Sequence, residues 1–199
     1  MQFEISLLNW VRALLVALLA WGECTTISSP QMLLIKTELL FSLIDSWQKV
    51  NTDPVCFGAR NDTYGAFSIT KTGLVKTMKL VHKSGSIRCN TVYGDSYWSC
   101  DYPVYAKNLM TIITNANRDA LLPYTGDLQK RADGECGKHS YSLEGTGHKS
   151  RELVFRNLSS PLSLSRNQEL QIWYGQDWLG CFEGDNIGNV CVDIYAWYI

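Results

Sequence analysis

Six cysteines placed beyond an N-terminus built for export limit the fold of this chain more than any other feature. Arg12 precedes the apolar run Ala13-Leu14-Leu15-Val16-Ala17-Leu18-Leu19, and small residues follow at Ala20 and Gly22. This is the layout of a secretory signal peptide over residues 1–22. The run is shorter than the roughly 20 apolar residues of a membrane-spanning helix, and no later segment supplies a span. Cleavage fits after Gly22, so that the mature chain starts at Glu23 and keeps all 7 cysteines, or after Cys24, so that it starts at Thr25 with six. The six common to both are Cys56, Cys89, Cys100, Cys136, Cys181 and Cys191. Cys89 with Cys100, and Cys181 with Cys191, are close enough in sequence to staple local loops, which by elimination leaves Cys56 for Cys136. Neither a Cys-x-x-Cys pair nor a histidine at ligand spacing accompanies them, so they read as bridges rather than zinc ligands. A retained Cys24 is a spare thiol suited to linking two chains.

Processing leaves enough chain for one domain with a real core. With 18 Lys and Arg against 19 Asp and Glu, scattered rather than clustered, the chain has no basic stripe for nucleic acid. It also lacks the acidic runs with which a mineral-nucleating protein gathers cations. Ser29-Pro30 reads as an N-cap and first helical residue, and Leu33, Leu40 and Trp47 then recur every seventh position, with Leu43 and Val50 beside them. Residues 25–52 are therefore expected to be an amphipathic helix and linker, with Gln31 to Val50 as the helix, packed on the domain or serving as an oligomer contact.

Residues 53–199 change to short β-prone runs divided by Gly, Asn, Asp and Ser. Strands are expected at Ala66 to Thr70, Leu74 to His82, Ser86 to Asn90, Leu109 to Thr114, Leu153 to Phe155, Glu169 to Tyr174 and Val192 to Tyr198, with turns at Gly73 and Ser84-Gly85. The expected fold is mainly β, a disulfide-stabilised sandwich or jelly-roll-like domain behind an N-terminal amphipathic helix.

Two N-glycosylation sequons occur, at Asn61-Asp62-Thr63 and Asn157-Leu158-Ser159. No Gly-x-Ser-x-Gly accompanies His82, His139 or His148, and nothing marks a carboxylate pair, so no catalytic residue is assigned. Within Asn167 to Gly175, Glu169-Leu170-Gln171-Ile172-Trp173-Tyr174-Gly175 resembles the Glu-Leu-x-x-Trp-Tyr-Gly signature of PR/SET methyltransferase domains. The cofactor-binding elements of that family are missing, and a buried strand ending at a Gly turn accounts for the segment. In Asp177 to Asp193, acids and amides alternate with glycine as in calcium loops, although EF-hand spacing is absent. A disulfide-bounded turn with solvated acids explains the same residues. If calcium binds, its candidate ligands are Asp177, Glu183, Asp185 and Asp193, and no other cofactor is expected.

Four blocks carry a wider resemblance: Val55 to Asn61, Lys79 to Gly85, Leu109 to Asn115, and Leu170 to Asp177 continued by Cys191 to Tyr198. Together they resemble a secreted domain abundant in corals and sea anemones, in particular the uncharacterized skeletal organic matrix proteins of stony corals. The resemblance implies a secreted, extracellular glycoprotein of a skeletal organic matrix associated with biomineralization, and it brings no catalytic residue. The expected function is thus non-catalytic, through contacts with other matrix proteins or glycans. A lectin-like module that binds glycans through exposed Trp and Tyr is the alternative, and a secreted hydrolase comes third.

Overall fold

The computed structural model describes residues 46–105, 107–128, 136 and 139–199. The signal peptide, Cys24, Leu33 and Leu40 lie outside these residues. Among the described residues the strand pairings are all antiparallel and fall into two sheets.

The larger sheet is built on two long neighbours, β4 (Gly73–Arg88) and β10 (Ile187–Tyr198). Along its other edge β10 takes β1 (Ser46–Lys49) and then β2 (Val55–Gly58), while β4 takes β7 (Glu152–Val154) and β8 (Leu162–Leu164). The second sheet has the order β3-β9-β5-β6, from β3 (Gly65–Ser68), β9 (Glu169–Tyr174), β5 (Thr111–Asn115) and β6 (Ala120–Leu122). A one-and-a-half-turn helix, α1 (Gly175–Leu179), continues directly from β9.

Period-two alternation sets the core. Val190, Val192, Ile194, Ala196 and Tyr198 of β10 are buried, and they join Met78 and Leu80 of β4 with Leu170, Ile172 and Tyr174 of β9 in one apolar cluster. The chain is mainly β, as expected, and the expected strand Glu169 to Tyr174 is β9 itself.

Three expectations are corrected. Trp47 to Val50 do not end a helix, because Ser46–Lys49 form β1 in register with Tyr198 to Tyr195. An available edge of β10 outweighs helical spacing here. Trp47 sits opposite Trp197 with the rings edge to face at 5.2 Å, and the Lys79 ammonium lies 5.1 Å above the Trp47 ring. Trp47→Ala is expected to cost about 1–2 kcal/mol in thermal unfolding. An unchanged midpoint would show that β1 contributes nothing to the sheet.

Ser84-Gly85 is not a turn between strands, since β4 runs through it as one strand of 16 residues. The register slips opposite Cys191 and Val192, and Gly85 takes φ +79°, where a Cβ would meet the Asn189 carbonyl oxygen at 2.3 Å. Glycine therefore lets the chain bulge without leaving the sheet.

The third correction concerns the bridges. Cys89 is joined to Cys100, but Cys191 is joined to Cys56 and Cys181 to Cys136, so the expected pairs Cys181–Cys191 and Cys56–Cys136 do not form. Proximity in sequence misleads because Cys181 follows the left-handed Gly180 that ends α1, whereas Cys191 lies within β10, directly opposite Cys56 of β2.

Candidate functional site

Leu170, Ile172 and Tyr174 of β9 face the core, so the alternate residues Gln171 and Trp173 belong to the other face of the small sheet. Both are nevertheless buried. Trp173 is covered by the ring of Tyr64, 4.7 Å away, and by the Arg118 guanidinium, 4.1 Å from the indole centroid. Its indole N–H donates to Gln171 Oε1 at 3.1 Å, and Gln171 Nε2 donates to Glu169 Oε1 at 3.1 Å. Arg118 is also ion-paired with Asp62. Asp62, Tyr64, Ala116, Arg118, Gln171 and Trp173 line an open cleft of about 260 Å³. Tyr64 is shared with a neighbouring cleft of about 590 Å³ that runs between the β2–β3 loop and Ile187 to Asn189.

Each wall of the cleft is held by local backbone chemistry. Arg118 stands in the β5–β6 turn, where Asn115 Oδ1 accepts from the backbone N–H groups of Asn117 and Asp119, both at 2.9 Å. Arg118 itself has φ +66°, and its carbonyl accepts from the Trp178 indole at 3.0 Å. In the β2–β3 loop Asn61 and Asp62 are consecutive left-handed residues at φ +62° and +57°, a conformation that Asn and Asp tolerate better than other side chains.

Asp177 in α1 anchors that loop. One of its carboxylate oxygens accepts from the Asp62 N–H at 2.7 Å and the other from the Thr63 N–H at 3.0 Å. Glu183 accepts from the Asn61 N–H at 2.9 Å, and the buried Asn186 amide donates to the Ala59 carbonyl at 2.9 Å and to Gln176 Oε1 at 3.0 Å. Burial, aided by a hydrogen bond with Glu183, pushes the Asp177 carboxyl up to about 6 against the opposing pull of the two N–H donors.

The structure thus brings Asp177 and Glu183 together and leaves the other two expected calcium ligands elsewhere. Asp193 is held by Lys49 at 3.0 Å and Lys83 at 3.3 Å, and these lysines keep its carboxyl below the ordinary range despite the cost of burial. Asp185 is exposed. Among the described residues no group of three or more His, Cys, Asp and Glu side chains is placed to hold a metal ion. Asn61 and Asn157, the two sequon asparagines, are exposed.

Sequence reasoning missed Asp62, Tyr64 and Arg118. Asp62 entered only as the middle of a sequon, and Arg118 left one faint trace, the turn-forming run Asn115-Ala116-Asn117 before it. Trp173 and Gln171 lie in the segment that resembled a methyltransferase signature; the structure makes that segment a buried strand.

No family model and no curated protein matches the chain. Among solved structures, AJLec from the sea anemone Anthopleura japonica matches with a TM-score of 0.68 and 29% sequence identity, over 77% of this chain and 98% of its own. The chain is similar to a sea anemone lectin. The match spans nearly all of AJLec, so it takes in the two-sheet domain rather than a single motif. It bears on the sea anemone side of the resemblance drawn from the sequence; neither a skeletal matrix nor biomineralization gains support from AJLec. The three bridges fit an extracellular protein, and no helix among the described residues is long and apolar enough to cross a membrane.

Proposed function

We propose that this protein is a secreted, non-catalytic glycan-binding module whose site is the cleft of Asp62, Tyr64, Arg118, Gln171 and Trp173. One observation carries the reading: a half-exposed tyrosine backed by a buried tryptophan shares an open cleft with an Asp–Arg pair, in a domain similar to AJLec. A pyranose offers an apolar C–H face and a rim of hydroxyls. Tyr64 supplies an aromatic surface for the first, and Asp62 and Arg118 supply a charged acceptor and a forked donor for the second. The buried layer beneath fixes their positions before the sugar arrives, which lowers the ordering cost of binding. The skeletal-matrix reading has no comparable observation in its favour.

Titration calorimetry against neutral oligosaccharides chosen from a glycan array tests the proposal. Tyr64→Ala and Arg118→Ala are each expected to weaken binding by on the order of tenfold or more. Wild-type protein that binds no glycan on the array, or variants that bind unchanged, would overturn it. The same titrations with calcium and with a chelator test the calcium expectation. Because only Asp177 and Glu183 of the four acids meet, a calcium requirement should disappear in Glu183→Gln and survive in Asp193→Asn. Asn61 adjoins the cleft, so an occupied sequon there is expected to lower affinity for large glycans, and Asn61→Gln to restore it.

A further inference from the structure

A second cleft lies on the other sheet, about 320 Å³ in volume and lined by His82, Lys83, Tyr97, Lys149 and Arg151. Three of the five are fixed cations, and no acid is among them. In a chain whose charges nearly cancel, that is a local departure from the even mixture elsewhere. Acids that neighbour these residues have partners of their own: Asp193 is shared by Lys49 and Lys83, Asp95 pairs with Arg88 at 2.7 Å while also feeling Lys149, Asp101 lies 3.5 Å from His148, and Glu152 pairs with Lys79 at 3.4 Å. Lys149 and Arg151 make no ion pair among the described residues.

The walls are rigidly joined. The His82 N–H donates to the Arg151 carbonyl at 2.9 Å, which ties the Lys149 to Arg151 segment to β4, and the Tyr97 N–H donates to the His148 carbonyl at 2.8 Å. The His82 ring is stacked on Tyr97 at 3.7 Å and is further fixed through Nε2 to the Gly85 carbonyl at 2.8 Å. The result is a recess with an aromatic floor, cationic walls and hydrogen-bond donors, in which an anion would find partners and a cation would not.

We propose that this cleft binds the sulfate and carboxylate groups of an acidic polysaccharide, as a site separate from the neutral-sugar cleft. Lys149 and Arg151 supply cations that form no ion pair among the described residues, Lys83 stands beside them, and the Tyr97 and His82 rings offer edges to the sugar carrying the anion. A nucleic acid would need cations along an extended stripe, and the cluster is confined to one recess on a protein of net charge −1.

The test is calorimetry with a heparin-derived hexasaccharide, the same hexasaccharide desulfated, inorganic sulfate, and a DNA oligonucleotide of equal charge. The sulfated hexasaccharide is expected to bind, more weakly as salt rises, with affinity falling on the order of tenfold in Arg151→Ala and further in the double variant Lys149→Ala/Arg151→Ala. Both residues are exposed, so the variants should keep the wild-type unfolding midpoint. Equal binding of the desulfated chain or of DNA, displacement by inorganic sulfate at matched sulfate concentration, or an unaffected double variant would each overturn the proposal. Neutral-glycan binding in the double variant is expected to match wild type, so failure here and failure at the Tyr64 cleft are separately visible.

Discussion

Replacing Cys56 and Cys191 together by serine is expected to destabilise the domain by about 4–5 kcal/mol, because the bridge closes a loop of 135 residues whose freedom in the unfolded chain is thereby released. The other two bridges shorten that loop only modestly, since Cys89–Cys100 and Cys136–Cys181 span 11 and 45 residues. For a domain of this size the change corresponds to a fall of about 10–15 °C in Tm. Removing Cys89–Cys100 should cost less, about 3 kcal/mol, on the same loop-entropy argument. Calorimetric unfolding of the two double-serine variants gives the ranking directly. Equal losses, or a larger loss for the short loop, would mean that the bridges act through the native state instead.

That ranking could not have been drawn from the sequence, and the reason is physical. Which cysteines meet depends on which strand carries each, and a strand pairing such as β2 with β10 joins residues more than 130 positions apart. Local signals read well where local structure decides the outcome. Glu169 to Tyr174 is flanked by turn formers and rich in aromatic and β-branched residues, and it is a strand over its full expected length. They fail where a distant partner decides. Trp47 falls in a heptad row with Leu33 and Leu40, yet Trp197 across the sheet sets its conformation.

The candidate site divides in the same way. Asp177 and Glu183 stand out in sequence because acids, amides and glycines crowd together there, but their partners in the structure are the backbone N–H groups of residues 61–63. A hydrogen bond between a side chain and a backbone more than a hundred residues away leaves no compositional trace. Asp62, Tyr64 and Arg118 are silent for that reason. Their roles come from the loop geometry, in which left-handed Asn61, Asp62 and Arg118 turn the chain so that Tyr64 and Arg118 cover the same indole.

Asp177 is the residue on which this geometry depends most, and its replacement is expected to have the largest effect on binding. Asp177→Ala removes both acceptors for the Asp62 and Thr63 N–H groups, at an expected cost of about 2–3 kcal/mol, and releases the loop that carries Asp62 and Tyr64. Neutral-glycan binding should fall below detection even though Asp177 does not line the cleft. Hydrogen exchange at the two amides should accelerate, whereas amides of β4 and β10 should keep their protection. The wild-type protein should also show a pH signature. Because the folded-state carboxyl titrates at about 6, above its unfolded value of 3.8, the native state holds the proton more tightly between these limits. Stability from this group is therefore fully present below about pH 4 and is lost as pH rises through 6. Asp177→Asn keeps one acceptor and cannot ionise, so it should bind weakly but flatten that decline in Tm between pH 4 and 6. A decline that persists in Asp177→Asn would assign the titration to another group, and Asp177→Ala protein that still binds glycan would show that the loop holds its shape without the anchor.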